Sequence, residues 1–82
     1  MKSPEDIYDY ILEYKIGWSF ASTYDSIAKY YEYECLDFKK ADKIYRIGLK
    51  ELSELEVGEN KEVKNLRHYN ALFTKRMEKR ID

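Results

Sequence analysis

The sequence predicts an all-α protein of about four helices, and three observations lead to this prediction. Charged residues make up 38% of the 82 residues and the mean hydropathy is −0.77, which favours helices with solvated outer faces. Apolar residues recur at helical spacing in four segments. No segment shows the convincing alternation of a strand, and no long linker separates the four. We therefore expect residues 1–82 to form a single domain.

The first helix is predicted from Pro4 to about Lys15. Ser3 is a typical N-cap, and Pro4 occupies the first helical position, where a missing backbone N–H costs nothing. Gly17 ends the helix. Its apolar stripe has the spacing i, i+3, i+4, i+7 and consists of Ile7, Tyr10, Ile11 and Tyr14.

The second helix is predicted to begin after a cap at Ser19 and to run to about Glu34. Its expected buried face consists of Phe20, Tyr24, Ile27, Ala28 and Tyr31.

The third helix begins after Asp37, a good N-cap, and ends before the Val57–Gly58 pair. Its stripe contains Phe38, Ala41, Tyr45, Gly48 and Leu52, widened by Ile44, Ile47 and Leu49. So wide an apolar face predicts burial between two neighbouring helices. The outer face of this helix is basic.

The fourth helix is predicted from about Lys61 to Lys79, with Val63, Leu66, Asn70, Phe73 and Met77 along one side. It is part of a basic segment. Residues 60–80 contain seven basic and two acidic residues, a local charge of +5, which leaves −6 for the remainder of a chain with net charge −1. This uneven distribution indicates charge-complementary packing, within the chain or with a partner.

Small residues in the second and third helices indicate close helix packing. Glycine inside a helix costs about 1 kcal/mol relative to alanine, so Gly48 needs a compensating contact. Helix axes approach to about 8 Å only where the residues in contact are small, as Ala28, Ala41 and Gly48 are. The alternative is that Ala28, Ala41 and Gly48 are ordinary small residues of a generic four-helix bundle.

The order of large and small residues resembles the tetratricopeptide helical hairpin, so the predicted fold is a set of antiparallel hairpins of tetratricopeptide-repeat type. Only one complete repeat is present, whereas repeat arrays usually need about three for stability. We therefore expect the chain to be part of a larger array, or to cover its exposed repeat ends by self-association.

A longer resemblance covers residues 4–77. The stretches "PEDIYDYILEYKIG", "YDSIAKYYEYE" and "DFKKADKIYRIGL" resemble the second half of the tetratricopeptide-like N-terminal domain of the Mad/Bub spindle assembly checkpoint proteins. The last stretch is the most specific, because it matches in register without a gap. Two departures are Ile27, where the family often has tryptophan, and one extra residue between Glu32 and Phe38.

The resemblance implies a non-catalytic interaction module located at the kinetochore, in the nucleus. Such domains dock a short helical motif of a kinetochore scaffold of the blinkin family on their convex face. Transferred by alignment, the partner-binding residues are Tyr10, Ile11, Tyr30, Glu34 and Tyr45. The resemblance also allows a kinase domain elsewhere in a longer protein. Independently of the family, four tyrosines are expected to be partly exposed and to suit an interface: Tyr10, Tyr14, Tyr30 and Tyr33.

Three other classes of function are less well supported. "ADKIYRIGLKEL" also resembles the half-a-tetratricopeptide repeats of RNA-processing scaffolds, which is the main alternative. Direct nucleic-acid binding is disfavoured, because the isoelectric point of about 5.9 is low for such a domain. An enzyme is the least supported class, since no nucleophile–histidine arrangement, Gly-rich phosphate loop or metal-ligand cluster is present.

Cofactors and membranes are not expected either. Cys35 and His68 are the single cysteine and the single histidine, so neither has a like partner for a metal site or a disulfide. No apolar run approaches the roughly 18 residues of a membrane span, and we expect an intracellular protein.

Overall fold

A computed structural model describes residues 3–54 and 61–80, and this part of the chain contains four α-helices and no strand. The all-α prediction is confirmed. The helices are α1 (Pro4–Glu13), α2 (Ala21–Tyr33), α3 (Phe38–Ser53) and α4 (Lys61–Arg80). The predicted helix end at Val57–Gly58 lies outside the described residues.

Local sequence signals begin and end α1 as predicted. The Ser3 hydroxyl accepts a hydrogen bond from the Asp6 backbone N–H, and the Asp6 side chain accepts one from the Ser3 N–H, which completes a capping box. After the helix, Lys15 and Gly17 adopt φ angles of 54° and 67°. The left-handed conformation at Gly17 carries no Cβ penalty and turns the chain toward α2.

Consecutive helices run antiparallel. Tyr31 meets Lys40 near the turn between α2 and α3, where the ammonium lies 4.9 Å from the ring centroid. Farther from the turn, the Tyr45 hydroxyl reaches Asp25. α4 returns along α3, because Phe73 packs on Tyr45 with ring centroids 5.3 Å apart. α2 and α3 therefore form a helical hairpin, and α4 covers one side of it.

The three small residues that were predicted to allow close helix packing lie in the core. Ala28, Ala41 and Gly48 are all buried. A Cβ added at Gly48 would lie 2.6 Å from Tyr24 Cγ and 2.6 Å from Leu66 Cδ2, so three helices meet at this glycine. The close approach of α2, α3 and α4 here explains why the helix contains a glycine at this position.

Ion pairs connect α4 to α2. Glu32 is fully buried, and its carboxylate accepts two hydrogen bonds of 2.8 Å from Arg76 and one contact of 3.2 Å from Arg80. A fork–fork pair of this kind has the geometry in which a buried carboxylate is well compensated. The predicted complementarity between an acidic front and a basic last helix is thus found within the chain.

Two predictions about α2 are wrong. Ser19 does not cap the helix: the N-cap is Phe20, which makes no side-chain cap hydrogen bond. The Ala21 N–H donates instead to Glu62 Oε2 at 2.7 Å, so a carboxylate from α4 supplies the cap. Phe20 was expected in the core but is exposed, because it lies before the first helical residue and off the buried face. The other four predicted core residues of α2 are buried.

Candidate partner-binding surface

The apolar stripe of α1 points away from the core. Ile7, Tyr10 and Tyr14 are 49%, 50% and 62% exposed, and α1 has no buried residue. The Tyr10 and Tyr14 rings pack on each other at 4.5 Å between centroids. We call Ile7, Tyr10 and Tyr14 the α1 surface. Tyr10 and Tyr14 are exposed as expected, and α1 packs on the core through a different side.

That other side carries the partly buried residues Tyr8, Ile11 and Leu12. The Tyr8 ring lies 4.9 Å from the Tyr30 ring, centroid to centroid, and so joins α1 to α2. Because Tyr8 and Leu12 are four residues apart, they share one helix face. The α1 surface is roughly on the opposite side of this short helix.

Polar contacts hold α1 along the hairpin. The Tyr31 hydroxyl donates to Asp9 Oδ1 at 3.5 Å, and the Lys40 ammonium lies 3.5 Å from the same carboxylate oxygen. At the other end, Lys15 lies 3.3 Å from Glu51. α1 and α3 therefore run in the same direction, with one ion pair from the middle of α1 and one from just after its end. These pairs are partly exposed, so each contributes at most about 1 kcal/mol.

Tyrosine pKa values reflect how each ring is held. Burial, followed by the Asp9 carboxylate, raises the pKa of Tyr31 to about 12. A hydrogen bond with Cys35, followed by burial, raises the pKa of Tyr30 to about 12. Cys35 in turn donates to Glu5 Oε1 at 3.4 Å, and burial raises the pKa of its thiol. Both tyrosines remain neutral hydrogen-bonding groups at neutral pH.

Four of the five predicted partner-binding residues are at least partly accessible. Tyr10 and Glu34 are exposed, whereas Ile11 and Tyr30 are half-buried. The Tyr10 ring packs on Tyr14, and the Tyr30 ring packs on Tyr8. Their role in binding a partner stays a prediction.

The fifth predicted residue, Tyr45, cannot lie on an exterior face. It is 0% exposed, and its hydroxyl donates to Asp25 Oδ1 at 2.8 Å inside the core. Burial, followed by this hydrogen bond, raises the Tyr45 pKa far above its usual value. Asp25 is also held by Lys29 at 3.2 Å, which keeps its charge compensated. The prediction that Tyr45 lies on the partner-binding surface is wrong, because Tyr45 is a core residue.

Ile7 and Tyr14 were not among the residues transferred by alignment, although Tyr14 was expected to suit an interface. Ile7 could have been found from the spacing i, i+3, i+7 that it shares with Tyr10 and Tyr14. Sequence pattern alone gives the width of an apolar stripe but not which side of a terminal helix faces the core.

Comparison with known proteins adds no further assignment. No family model, no curated protein and no solved structure matches the chain. Within residues 3–54 and 61–80, no helix is both long enough and apolar enough to cross a membrane, and no group of three potential metal ligands is found.

Proposed function

We propose that the chain is a non-catalytic protein-interaction module of a spindle checkpoint protein, which docks a short helical motif of a kinetochore scaffold. The observation that carries the proposal is the α1 surface, where a short helix presents three large apolar side chains to solvent. Exposed clusters of this kind on a small domain are typical of interaction sites.

The chemistry of the α1 surface suits a partner helix. Tyr10 and Tyr14 each combine an apolar ring with a hydroxyl, and tyrosine is enriched among residues that dominate binding energy. An amphipathic helix with apolar residues at i, i+3, i+4 and i+7 would lay its own stripe along Ile7, Tyr10 and Tyr14. Ile11, at the border of the surface, would extend the contact toward the hairpin.

The identity of the partner rests on the sequence resemblance to the Mad/Bub domains. It places the module at the kinetochore, in the nucleus, with a blinkin-family scaffold as the partner. The region that resembles the family includes α1, so the α1 surface falls within the family's docking region.

The test is a fluorescence-anisotropy titration with helical peptides from such a scaffold, using a scrambled peptide as the negative control. Tyr10→Ala/Tyr14→Ala should weaken binding by about tenfold or more. Leu72→Ala on α4 is the matched control, because Leu72 is an exposed apolar residue on a helix that does not contribute to the α1 surface. Equal affinity of the parent and the double variant would overturn the proposal.

Self-association through the same surface is the competing outcome. Sedimentation measurements on the parent and on Tyr10→Ala/Tyr14→Ala separate the two. A dimer that the double variant dissociates, with no peptide binding by either protein, would assign the α1 surface to a second copy of this chain.

A further inference from the structure

A second surface lies between α3 and α4 and differs in character from the α1 surface. It is a groove of about 540 Å³, lined by Phe38, Lys39, Asp42, Arg46, Phe73, Thr74, Met77 and Arg80. Phe73 forms its nearly buried bottom, and Phe38 and Met77 are partly accessible. The groove therefore has an apolar floor with room for bulky side chains.

A row of basic residues runs along α3, and two of them, Lys39 and Arg46, line the groove. Lys39, Lys43, Arg46 and Lys50 are spaced i, i+4, i+7 and i+11, which places them on one side of the helix. All four are exposed. We call these four residues the α3 ridge; it is the basic outer face that the sequence showed.

The charge of the α3 ridge is only partly compensated. Asp42 is the acidic residue of the groove lining, and it already pairs with Arg46 at 2.8 Å. Lys39, Lys43 and Lys50 form no ion pair with any described residue. On the opposite wall, Arg80 stacks over the Phe38 ring at 5.0 Å. Arg80 is also paired with Glu32. The groove thus has an apolar floor, and Lys39 is the basic residue of its lining that has no ion pair among the described residues.

We propose that this groove binds an acidic amphipathic helix of a partner protein, with apolar residues on the Phe38–Met77 floor and carboxylates against the α3 ridge. Charge complementarity decides the occupant: Lys39 on the groove wall, and Lys43 and Lys50 beside the groove on α3, form no ion pair with a described residue and select an acidic partner. The adjacent apolar floor favours a peptide over a nucleic acid, and so does the chain's net charge of −1.

The groove does not depend on the α1 surface. α1 meets α3 through Lys40 and Glu51, and neither residue lines the groove. A chain with both surfaces would hold two partner segments at once.

The test uses the full chain and two synthetic peptides of about 16 residues, long enough for four helical turns. Both carry leucines at i, i+3, i+4 and i+7; one has glutamates on its other face and the other has lysines. Fluorescence anisotropy measures their binding. The glutamate peptide should bind and the lysine peptide should not.

Charge-reversal variants locate the site. Lys39→Glu/Lys43→Glu should weaken binding of the glutamate peptide by about tenfold or more. Lys75→Glu/Lys79→Glu makes the same charge change at exposed positions of α4 that do not line the groove, and should change affinity by less than about twofold. Equal losses in the two double variants would overturn the proposal, since the attraction would then be nonspecific.

Thr74→Arg separates groove occupancy from charge alone. Thr74 is exposed and lines the groove, so an arginine there adds a positive charge and also fills space. If Thr74→Arg binds the glutamate peptide more weakly than the parent does, the result supports a peptide that occupies the groove. Tighter binding would overturn the proposal. Circular dichroism checks that each variant remains folded.

Duplex DNA of about 20 base pairs and vesicles of anionic phospholipid serve as competing ligands. If either binds as tightly as the glutamate peptide and loses affinity equally in Lys39→Glu/Lys43→Glu, the α3 ridge is a general polyanion site and the proposal fails. Tyr10→Ala/Tyr14→Ala should leave binding of the glutamate peptide unchanged, so failure here is distinguishable from failure of the scaffold interaction.

Discussion

Replacing Gly48 with alanine tests the close helix packing most directly, because two effects of opposite sign compete at this position. In an exposed helix the substitution would stabilise the protein by about 1 kcal/mol, through the lower backbone entropy of the unfolded chain. Here the new methyl group would lie 2.6 Å from both Tyr24 Cγ and Leu66 Cδ2. Leu66 Cδ2 is the end of a flexible side chain and can move.

Tyr24 is harder to displace. Its Cγ is the root of the ring, the residue is buried, and its hydroxyl donates to the Trp18 carbonyl at 3.1 Å. Overpacking of this kind typically costs about 1–3 kcal/mol. Because the new methyl group meets the root of a held ring, we take the upper part of this range, about 2–3 kcal/mol. After the helix-propensity gain of about 1 kcal/mol, we expect Gly48→Ala to lower the free energy of unfolding by about 1–2 kcal/mol. For a domain of this size, that corresponds to a decrease in Tm of about 4–8 °C per kcal/mol.

Urea unfolding followed by far-ultraviolet circular dichroism measures the effect. Ala71→Gly, at an exposed position of α4, gives the helix-propensity difference in the same protein and serves as the control. The cost of overpacking is the sum of the two measured losses in stability. If Gly48→Ala is as stable as the parent or more stable, the three-helix contact at this residue does not exist as described.

Three further predictions concern buried polar groups. Glu32→Ala leaves its two arginine partners without a carboxylate and should lower the free energy of unfolding by about 3 kcal/mol, measured by urea denaturation; a loss below about 1 kcal/mol, typical of surface pairs, would contradict the buried pairing. Tyr45→Phe removes the donor to Asp25 and should cost about 1.5–3 kcal/mol in the same assay, and an unchanged urea midpoint would show that the hydrogen bond is absent. Burial raises the pKa of Tyr24 to about 12, whereas tyrosines of the unfolded chain titrate near pH 10, so the unfolded state loses protons first and stability should fall between about pH 10 and about pH 12. Equal urea midpoints at about pH 9 and about pH 11 would refute the predicted decrease in stability with rising pH.

Much of the fold could be predicted because its signals are local. Ser3 and Asp37 begin their helices through their own side chains, and Gly17 adopts the left-handed conformation that ends the first segment. The wide stripe of α3 predicted two neighbours, and α2 and α4 are those neighbours. Gly48 was informative because a glycine in a helix needs a packing reason.

The errors involve contacts between residues far apart in sequence. Ser19 is a good cap by local rules, but the carboxylate of Glu62, 41 residues after Ala21, occupies that role. Tyr45 was placed on the partner-binding face through the family resemblance, although it also belongs to the apolar stripe predicted for the third helix. Its burial depends on Asp25, a hydrogen-bond acceptor on another helix, and no local pattern reveals that pairing.

The orientation of α1 has the largest effect on the candidate site, and the apolar pattern left it open. Its apolar residues cover about half of the helix circumference, so periodicity could not choose between the side of Tyr8 and the side of Tyr10. The structure places Tyr8 on the core and Tyr10 in solvent. Whether Tyr10, Ile11, Tyr30 and Glu34 bind a scaffold motif stays a prediction.

The buried Glu32 carboxylate also bears on how the chain folds as it is synthesised. Its arginine partners begin 44 residues later, so a nascent chain that has exposed only the first three helices lacks both partners and must keep this carboxylate in contact with water. Such an intermediate gains little by collapsing early. Ideal solenoids fold by adding one repeat at a time to its folded neighbour. Here stable packing requires the fourth helix, so we expect the four helices to become protected together in pulse-labelling hydrogen exchange.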